Sequence, residues 1–530
     1  MELLTQTRSY IVMKSLQRIL APALAAILFT AAAASANAQG LDPAQIQHPK
    51  ADSWPTYHGD YSGRRHSALT QITPDNVKGL SLAWVFQTNM VTTLKSSPLL
   101  VDGILYFTVP DNVWAVDARS GHMLWRYTYP PNKGLHIGQR GVGMYKDTIL
   151  FLSPDAHLIA LNAKDGSVKW NVVVADVAKG YWTTEAPLVI RNHVLVGVSG
   201  DFDNLRGFLR SIDPETGQTQ WTWYSTPEPG TPNASTGGMT WMTGTYDPDL
   251  NLVYWGTGNP TPVLAGATRP GDDRYTCSIV ALNPDTGDLK WAFQPSPHDT
   301  HDWDAVETPV LIDGTVNGKP RKLLLHASRN GYFFVLDRTN GKDILTTTFG
   351  PTNWALGVDE KGQPIPNPEK FPARDGRIIA PDEGGLNNYR SASFDPVTGL
   401  FIVNSHPAWS LYFAKPEDGA YGWAGADYGL WGKSVLEAID YHTGEIRWKH
   451  EFAEGSGTGV LTTDSGLTFS GDPQGNLLAL RTSDGKILWH AGTGANMQTS
   501  PSTYMLDGRQ YILTGSGTLL YAWALPANEE

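Results

Sequence analysis

One phrase recurs through this chain: an apolar residue, Asp or Asn, a short turn closing on Gly, and Trp four residues after that Gly. It reads Ala115-Val116-Asp117 to Gly121 and Trp125, Ala160-Leu161-Asn162 to Gly166 and Trp170, and Ser211-Ile212-Asp213 to Gly217 and Trp221. Further copies end at Trp291, Trp448 and Trp489, and a weakened one runs from Asp337 through Gly341 to Leu345. Strand, tight turn and strand repeated at intervals of about 41 to 70 residues is the signature of a propeller or an array. Between the phrases lie hairpins with Asp-Gly turns, Asp102-Gly103 and Asp507-Gly508, which supply the positive φ angles of a tight reversal. Each unit therefore reads as a four-stranded antiparallel meander. Each indole is expected to pack between adjacent blades near the next turn's Gly, its N–H reaching a backbone carbonyl.

With the partial phrases Tyr246-Asp247-Pro248 and Phe394-Asp395-Pro396, the count comes to eight blades. The expected fold is an all-β, eight-bladed β-propeller over residues 80–530, with Trp docking each blade on the next. Residues 80–86 and 519–525 are expected to pair in one blade and close the ring, which removes the exposed edges. Ahead of it, residues 39–79 read as an N-terminal arm. In it Thr73-Pro74-Asp75-Asn76 suggests an N-cap with Pro at the first position of one short helix. Residues 350–385 carry six Pro and little periodicity, and read as a long loop over one face.

The first 38 residues read as a secretory signal, with Lys14 and Arg18 ahead of an apolar run and Ala36-Asn37-Ala38 as the cleavage site. The expectation is a periplasmic protein with no membrane span after processing. A formal charge of −12 repels phosphate backbones and argues against nucleic acid as a partner. Cys277 is the single cysteine of the sequence, so it forms no internal disulfide, and there is no Cys-x-x-Cys-His to attach a c-type haem. If the protein is a redox enzyme, its electrons are expected to leave through a separate partner.

Several blocks then occur in order: Trp54-Pro55-Thr56-Tyr57, Tyr254-Trp255-Gly256-Thr257-Gly258-Asn259-Pro260, Arg269-Pro270-Gly271-Asp272, Pro297-His298-Asp299-Thr300-His301-Asp302-Trp303-Asp304, and His326-Ala327-Ser328-Arg329-Asn330-Gly331-Tyr332. Together they resemble the pyrroloquinoline quinone (PQQ)-dependent alcohol dehydrogenases over nearly all of residues 50–525. That resemblance implies hydride transfer from a small alcohol to the quinone, with a hard cation polarising the carbonyl and a base taking the hydroxyl proton. It assigns Asp302 as the base and a metal ligand, Asn259 as a metal ligand, and Asp304 as the extra acidic ligand found where the family uses a lanthanide instead of calcium. It also implies that Arg329 contacts the quinone carbonyls, that Trp241 stacks on the cofactor, and that Arg140, Thr184, Ser199 and Asn388 make polar contacts to it. A c-type cytochrome is the implied electron acceptor. Without the resemblance, Asp302 and Asp304 read equally well as turn carboxylates, Trp241 as one more packing indole, and Arg329 as the partner of an acidic neighbour. His298 and His301 beside the Asp residues also suggest a zinc site, although the family usually has only the first His.

Two departures touch the cofactor. The family's metal-binding Glu lies in Ser-Gly-x-Glu-x-x-x-Arg-Gly, and the matching stretch here, Ser199-Gly200-Asp201-Phe202-Asp203-Asn204-Leu205-Arg206-Gly207, has Phe202 at that position. A benzyl group cannot coordinate a cation. On an extended strand Asp201 and Asp203 would point away, and only a local turn would bring either in. The family's vicinal disulfide also matches Gly134-Leu135. The alternative function is therefore a catalytically inactive quinoprotein-like propeller serving as a binding or scaffold protein.

Overall fold

The computed structural model describes residues 40–530 except 131–137, 203, 229, 232–234, 270, 418–421, 454, 456 and 528–530. The signal segment and the Gly134-Leu135 position lie outside the described residues. Eight sheets of consecutive antiparallel strands follow the repeat. In the first, Leu99–Val101, Ile104–Val109, Asn112–Asp117 and Met123–Thr128 run from the centre outward. Burial follows that order: the first three strands are almost wholly buried, and the fourth alternates between exposed and half-buried residues. The remaining blades occupy residues 143–173, 188–224, 245–293, 310–348, 393–451 and 461–492. The eighth combines Ser502–Leu506, Arg509–Ser516 and Leu519–Ala524 with Ser81–Gln87 from the other end of the sequence.

The indoles dock as their spacing implies. A Cβ added at Gly121, Gly166, Gly217, Gly287, Gly341 or Gly485 would meet the ring of Trp84, Trp125, Trp170, Trp221, Trp291 or Trp448 of the preceding blade, or in the case of Gly217 its neighbour Val172, within 3.0 Å. These glycines also hold positive φ, so the turn and the stacked ring both require the missing side chain. The indole N–H groups of Trp84, Trp125, Trp221 and Trp448 donate to Ala118 O, Ala163 O, Pro284 O and Thr482 O at 2.8–3.1 Å. Where the phrase is weakened, Thr347 and Leu345 fill the space over Gly444. Trp489 meets Trp523 edge-on at 5.5 Å and links the last two blades.

The arm does more than precede the ring. Its backbone and side chains touch each blade in turn. Leu41 exchanges backbone hydrogen bonds with Lys146, and Trp54 with Leu100. Met505 N donates to Ala51 O, Tyr246 N to Tyr61 O, Leu311 N to Ser62 O, Phe394 N to Arg64 O and Thr462 N to Arg65 O, all at 2.8–3.2 Å. The Tyr61 hydroxyl donates to Val189 O at 2.8 Å. Arg65 is 1% exposed and donates to Tyr57 O and Pro501 O, both at 2.6 Å, with its guanidinium over the Trp54 ring.

Two details differ from the sequence reading. The segment after Thr73 is a turn followed by a single 3-10 turn, Val77–Gly79, because the Asn76 side chain caps Thr73 N rather than a helix. The Pro-led turn lies earlier, at Pro43–Ile46 with Asp42 as N-cap. Residues 350–385 are likewise not all loop: Ala355–Val358 pairs with Pro364–Pro366. Arg377–Ile379 joins Ala408–Ala414 and Gly425–Gly432 in a three-stranded sheet outside the blades. Among the described residues no helix is long and apolar enough to cross a membrane.

Trp448→Ala should lower stability by roughly 3 kcal/mol through lost burial and the emptied gap over Gly485, read as a lower urea midpoint. His58 and His301 are both buried and held down to about 3, chiefly by burial. Their folded values lie below the unfolded one. The stability they confer as neutral rings is therefore complete above about pH 6.5 and is lost as pH falls toward 3, at up to about 1.4 kcal/mol per pH unit for each ring. Denaturant midpoints measured from pH 7 to 4 should fall, and His58→Gln should flatten the decline.

Candidate active site

Asp302 owes its position to a backbone reversal. The Asp299 carboxylate accepts from the N–H groups of His301, Asp302 and Trp303 at 2.9–3.3 Å, and Asp302 itself sits at φ 71°. The turn drives Trp303 into the core, where its N–H donates to Asp382 O at 2.9 Å, and leaves Asp302 and Asp304 on one pocket wall. Arg329 bridges them. One terminal nitrogen lies 2.7 Å from Asp302 Oδ2 and the other 3.2 Å from Asp304 Oδ2. The first also donates to Glu383 O at 2.7 Å and lies 3.5 Å from Glu383 Oε1. A Cβ at Gly385 would stand 2.6 Å from Arg329 Cβ, so only Gly lets the 382–388 segment approach this closely. Asp304 is held on its other sides by Trp241 Nε1 at 2.7 Å and by the backbone N–H of Asn259 at 2.6 Å.

Burial pushes Asp302 well above the carboxylate range, Arg329 pulls it back, and Asp304 and Glu383 push it further. Asp304 is also raised by burial and drawn down by Arg329 and by the Trp241 and Asn259 N–H groups. Asp201 joins this group. It stands at the solvent edge of the pocket, yet burial of its carboxyl, reinforced by Asp304, pushes it up to about 6, with Arg329 opposing. Residues 200–202 are not in a strand: the chain bends at Phe202, and Asn204 stands at φ 68°. Phe202 is 48% exposed, and its ring lies against Gly180. The bend leaves the benzyl group exposed, and the Asp201 carboxyl is close enough to Asp304 and Arg329 to feel their charges, which is the local turn that the sequence reading required for Asp201 to face the site. Asp203 lies outside the described residues.

The opposite end of the pocket is cationic. Arg140 is 3% exposed, and its Nη1 and backbone N–H both donate to Thr184 O, at 3.2 and 3.0 Å. Its Nε has no partner among the described residues. Its guanidinium lies 4.8 Å from the Trp241 ring centroid, so this one indole touches the cation on its face and the Asp304 carboxylate through its N–H. Thr184 Oγ1 donates to Trp241 O at 3.2 Å and lies 3.5 Å from Ser199 Oγ. Thr184, Ser199, Arg140 and Trp241 thus form one wall, as the sequence reading groups them. Asn388 is used locally: it donates to Gly384 O at 2.9 Å and accepts from Tyr389 N at 2.8 Å. The Asn259 side chain donates to Pro260 O at 3.1 Å.

Glu383, Asp201, Tyr389, Lys95 and Arg390 are the pocket residues that sequence reasoning did not single out as carrying the site. Glu383, Tyr389 and Arg390 share the segment ahead of the sixth blade, Lys95 precedes the first, and Asp201 follows the third blade's second strand, so only the closed ring brings them together. The zinc reading does not survive. His301 stacks on Trp303 at 4.2 Å and faces Lys370 O, while His298 faces Gly271 O. Among the described residues no group of three or more His, Cys, Asp or Glu is arranged to hold a metal by itself.

Does the pocket fit a quinone and a hard cation? Four carboxyls, those of Asp201, Asp302, Asp304 and Glu383, face one guanidinium, which when all are ionised leaves −4 + 1 = −3. A bound cation would neutralise this excess and is favoured by an all-oxygen set. At the other end, Arg140 Nε, Gln139 Oε1 and Glu185 Oε2 are buried polar atoms without a partner among the described residues. An acidic group at one edge of a planar ligand would satisfy the Arg140 Nε donor, whereas Gln139 Oε1 and Glu185 Oε2 are acceptors that call for a donor. The Trp241 ring touches both ends.

Comparison with known proteins shows the family. The profile of the glucose/ethanol/alcohol dehydrogenase β-propeller domain matches residues 54–375, and that of outer membrane protein assembly factor BamB matches residues 432–524. The chain is 36% identical over 545 residues to a quinohemoprotein alcohol dehydrogenase of Comamonas testosteroni, covering 92% of this chain and 76% of the relative. It is 33% identical over 542 residues to quinoprotein alcohol dehydrogenase PedH of Pseudomonas putida, covering 92% and 89%. The crystal structure of the Comamonas enzyme superposes with a TM-score of 0.85 at 30% identity, covering 92% of this chain and 84% of that one. A europium-containing methanol dehydrogenase superposes with a TM-score of 0.82 at 29% identity, covering 90% and 99%. The chain belongs to the PQQ-dependent quinoprotein alcohol dehydrogenases, a family of oxidoreductases acting on CH–OH groups.

Arg329→Ala would leave Asp302 and Asp304 buried without their shared cation. It should cost about 3–5 kcal/mol of stability in the metal-free protein, seen as a lower melting temperature, and added lanthanide should restore part of the loss.

Proposed function

We propose that this protein oxidises a small alcohol in the periplasm, with PQQ against Trp241 and a calcium or lanthanide ion at its acidic end, and passes electrons to a separate c-type cytochrome. The observation that carries the reading is the two-ended pocket, carboxylates around Arg329 and cations around Tyr389, joined by the Trp241 indole. The quinone, when bound, supplies a carbonyl carbon that accepts hydride, and the cation polarises that carbonyl. Asp302, Asp304 and Asn259 would hold the ion, with Asp201 adding the oxygen that Phe202 cannot.

Asp302 takes the alcohol's hydroxyl proton. For this it must be ionised, and the Arg329 contact at 2.7 Å opposes the burial that would keep it protonated. Arg329 also fixes the base in direction, because it is itself anchored on Glu383 O. The walls around the base exclude water, since Asp302 is only 8% exposed and Trp303 and Val306 beside it are buried. The scaffold alternative rests on Phe202 and on the absence of the family's vicinal disulfide at Gly134-Leu135; on the first count, the position of Asp201 favours the enzyme.

Titrating the mature protein with PQQ and calcium or a light lanthanide, then adding a primary alcohol, should give tight metal-dependent binding and dye reduction. Asp302→Asn should cut turnover by about 10²–10⁴ while quinone binding persists. Folded protein that binds no quinone with any of these ions would sink the proposal. Asp201→Asn should weaken ion affinity by roughly tenfold if its carboxylate is a ligand.

A further inference from the structure

Two carboxyls beside the base have no cation of their own. The carbonyls of Asp382 and Glu383 are held by Trp303 Nε1 at 2.9 Å and by a terminal nitrogen of Arg329 at 2.7 Å, so this segment is pinned by the residue after Asp302 and by the guanidinium that pairs with it. Glu383 shares Arg329 with Asp302 and Asp304. Asp382 has only His406, whose Nε2 lies 3.8 Å away and whose ring burial draws below its ordinary value, leaving it neutral at pH 7. Asp427 comes from the three-stranded sheet outside the blades and, like Asp382, forms no ion pair with Lys or Arg among the described residues. Burial, then Glu383, pushes Asp382 up to about 7, with the Gly385 N–H and Arg329 opposing and Asp427 adding; burial and then Glu383 raise Asp427 as well. The acids thus stand within reach of one another's charge, and a positive group among them would keep them ionised.

The fold brings a further polar group to the same place. Buried and half-buried residues alternate along Ala408–Ala414, and Tyr412 stands opposite Asp427 in the register, so the two side chains share the inner face of the sheet. Tyr412 is fully buried, and its hydroxyl has no partner among the described residues. Burial, and then Asp382, Asp427 and Glu383, keep that hydroxyl protonated. A buried hydroxyl without a partner is costly, so it calls for a ligand. A cleft lined by Asp382, His406, Ala408, Trp409, Leu430 and Trp431 leads to the group. At its outer end Trp409 and Trp431 stack with ring centroids 5.8 Å apart, and Trp431 is 59% exposed, whereas the Asp382 side chain is 19% exposed. Among the described residues these acids are not spaced to hold a metal ion between them. A larger cation with N–H donors suits them: the carboxylates and the Tyr412 oxygen accept from it, and the indoles attract it at the entrance.

We infer that the substrate is an alcohol bearing an ammonium group, with its hydroxyl at Asp302 and its ammonium among Asp382, Asp427 and Tyr412. The inference rests on the function proposed above and deepens it by naming the substrate class. The redox step is the one given there: the carbinol carbon loses hydride to the quinone, the hydroxyl proton goes to Asp302, and the ammonium end passes unchanged into the aldehyde. Such amines carry their proton at neutral pH, since an alkyl ammonium titrates at about 10.

The test compares each amino alcohol with the alcohol in which methyl replaces ammonium, using mature protein loaded with PQQ and calcium or a light lanthanide. 2-Aminoethanol is paired with 1-propanol, 3-aminopropan-1-ol with 1-butanol, and 5-aminopentan-1-ol with 1-hexanol. At least one amino alcohol should exceed its partner by about tenfold or more in kcat/KM at pH 7, mostly through KM, and the excess should shrink as salt rises. Asp427→Asn should remove most of that preference and Asp427→Glu should recover part of it; Tyr412→Phe takes the place of Asp427→Asn if the latter does not fold. Equal or better turnover of every neutral partner, or a preference that survives the substitution in folded protein, overturns the inference and leaves the dehydrogenase reading standing. Calorimetric titration of the quinone-free protein with the same amino alcohols is the second arm. If no alcohol is turned over but an amino alcohol binds, and Asp427→Asn abolishes that binding, the ammonium site holds and the dehydrogenase reading fails. If nothing is turned over and no amino alcohol binds, both fail.

Discussion

The ring stands on its closure. No strand ladder runs around a circle of eight blades, and each sheet meets the next through packed side chains and scattered hydrogen bonds. Two devices convert that into a closed body. Ser81–Gln87 adds the outer strand to the blade made by the end of the sequence, and residues 41–67 contact every blade across one face. Arg65, buried and donating from its two terminal nitrogens to carbonyls of Tyr57 and Pro501, ties the arm to the closing blade, and Tyr57 reaches from the arm to the floor of the site. The arm thus fixes the spacing of the blades from which pocket residues project.

That spacing matters because the site is assembled from many blades and owned by none. Arg329 comes from the fifth, Trp241 from the entry to the fourth, Arg140 from the entry to the second and Glu383 from the segment before the sixth. A displacement of one blade would separate charges that now neutralise one another at 2.7 to 3.2 Å. Low dielectric around these groups strengthens each pairing and makes each unpaired group costly. Its polarity, acidic at one end and basic at the other, is a property of the ring and not of any segment.

The fold was legible because it is written locally. Asp117, Asp213 and Asn283 each accept from backbone N–H groups two or three residues on, the glycines that follow take positive φ, and the Trp stacks at fixed spacing. The motif around Asp302 was legible for the same reason, since Asp299 bends its own neighbourhood. The direction of Phe202 could not be read from sequence, because it depends on whether the strand alternation continues past Ser199; the chain bends at Phe202 and leaves that ring exposed.

What the sequence by itself determined is the repeat, and with it the blades, the docked indoles, the closing strand and the residues matched to the family. Those depend on contacts over a few residues, or on the same contact made again in the next unit. Only the tertiary structure decided which charges share the pocket. It placed the guanidinium of Arg329 between two aspartates, Asp201 at the edge of that group, and Lys95 and Arg390 on the ring of Tyr389, 294 residues and one residue away in sequence. Electrostatic interaction depends on distance and on the surrounding dielectric, and neither is set until the ring has closed.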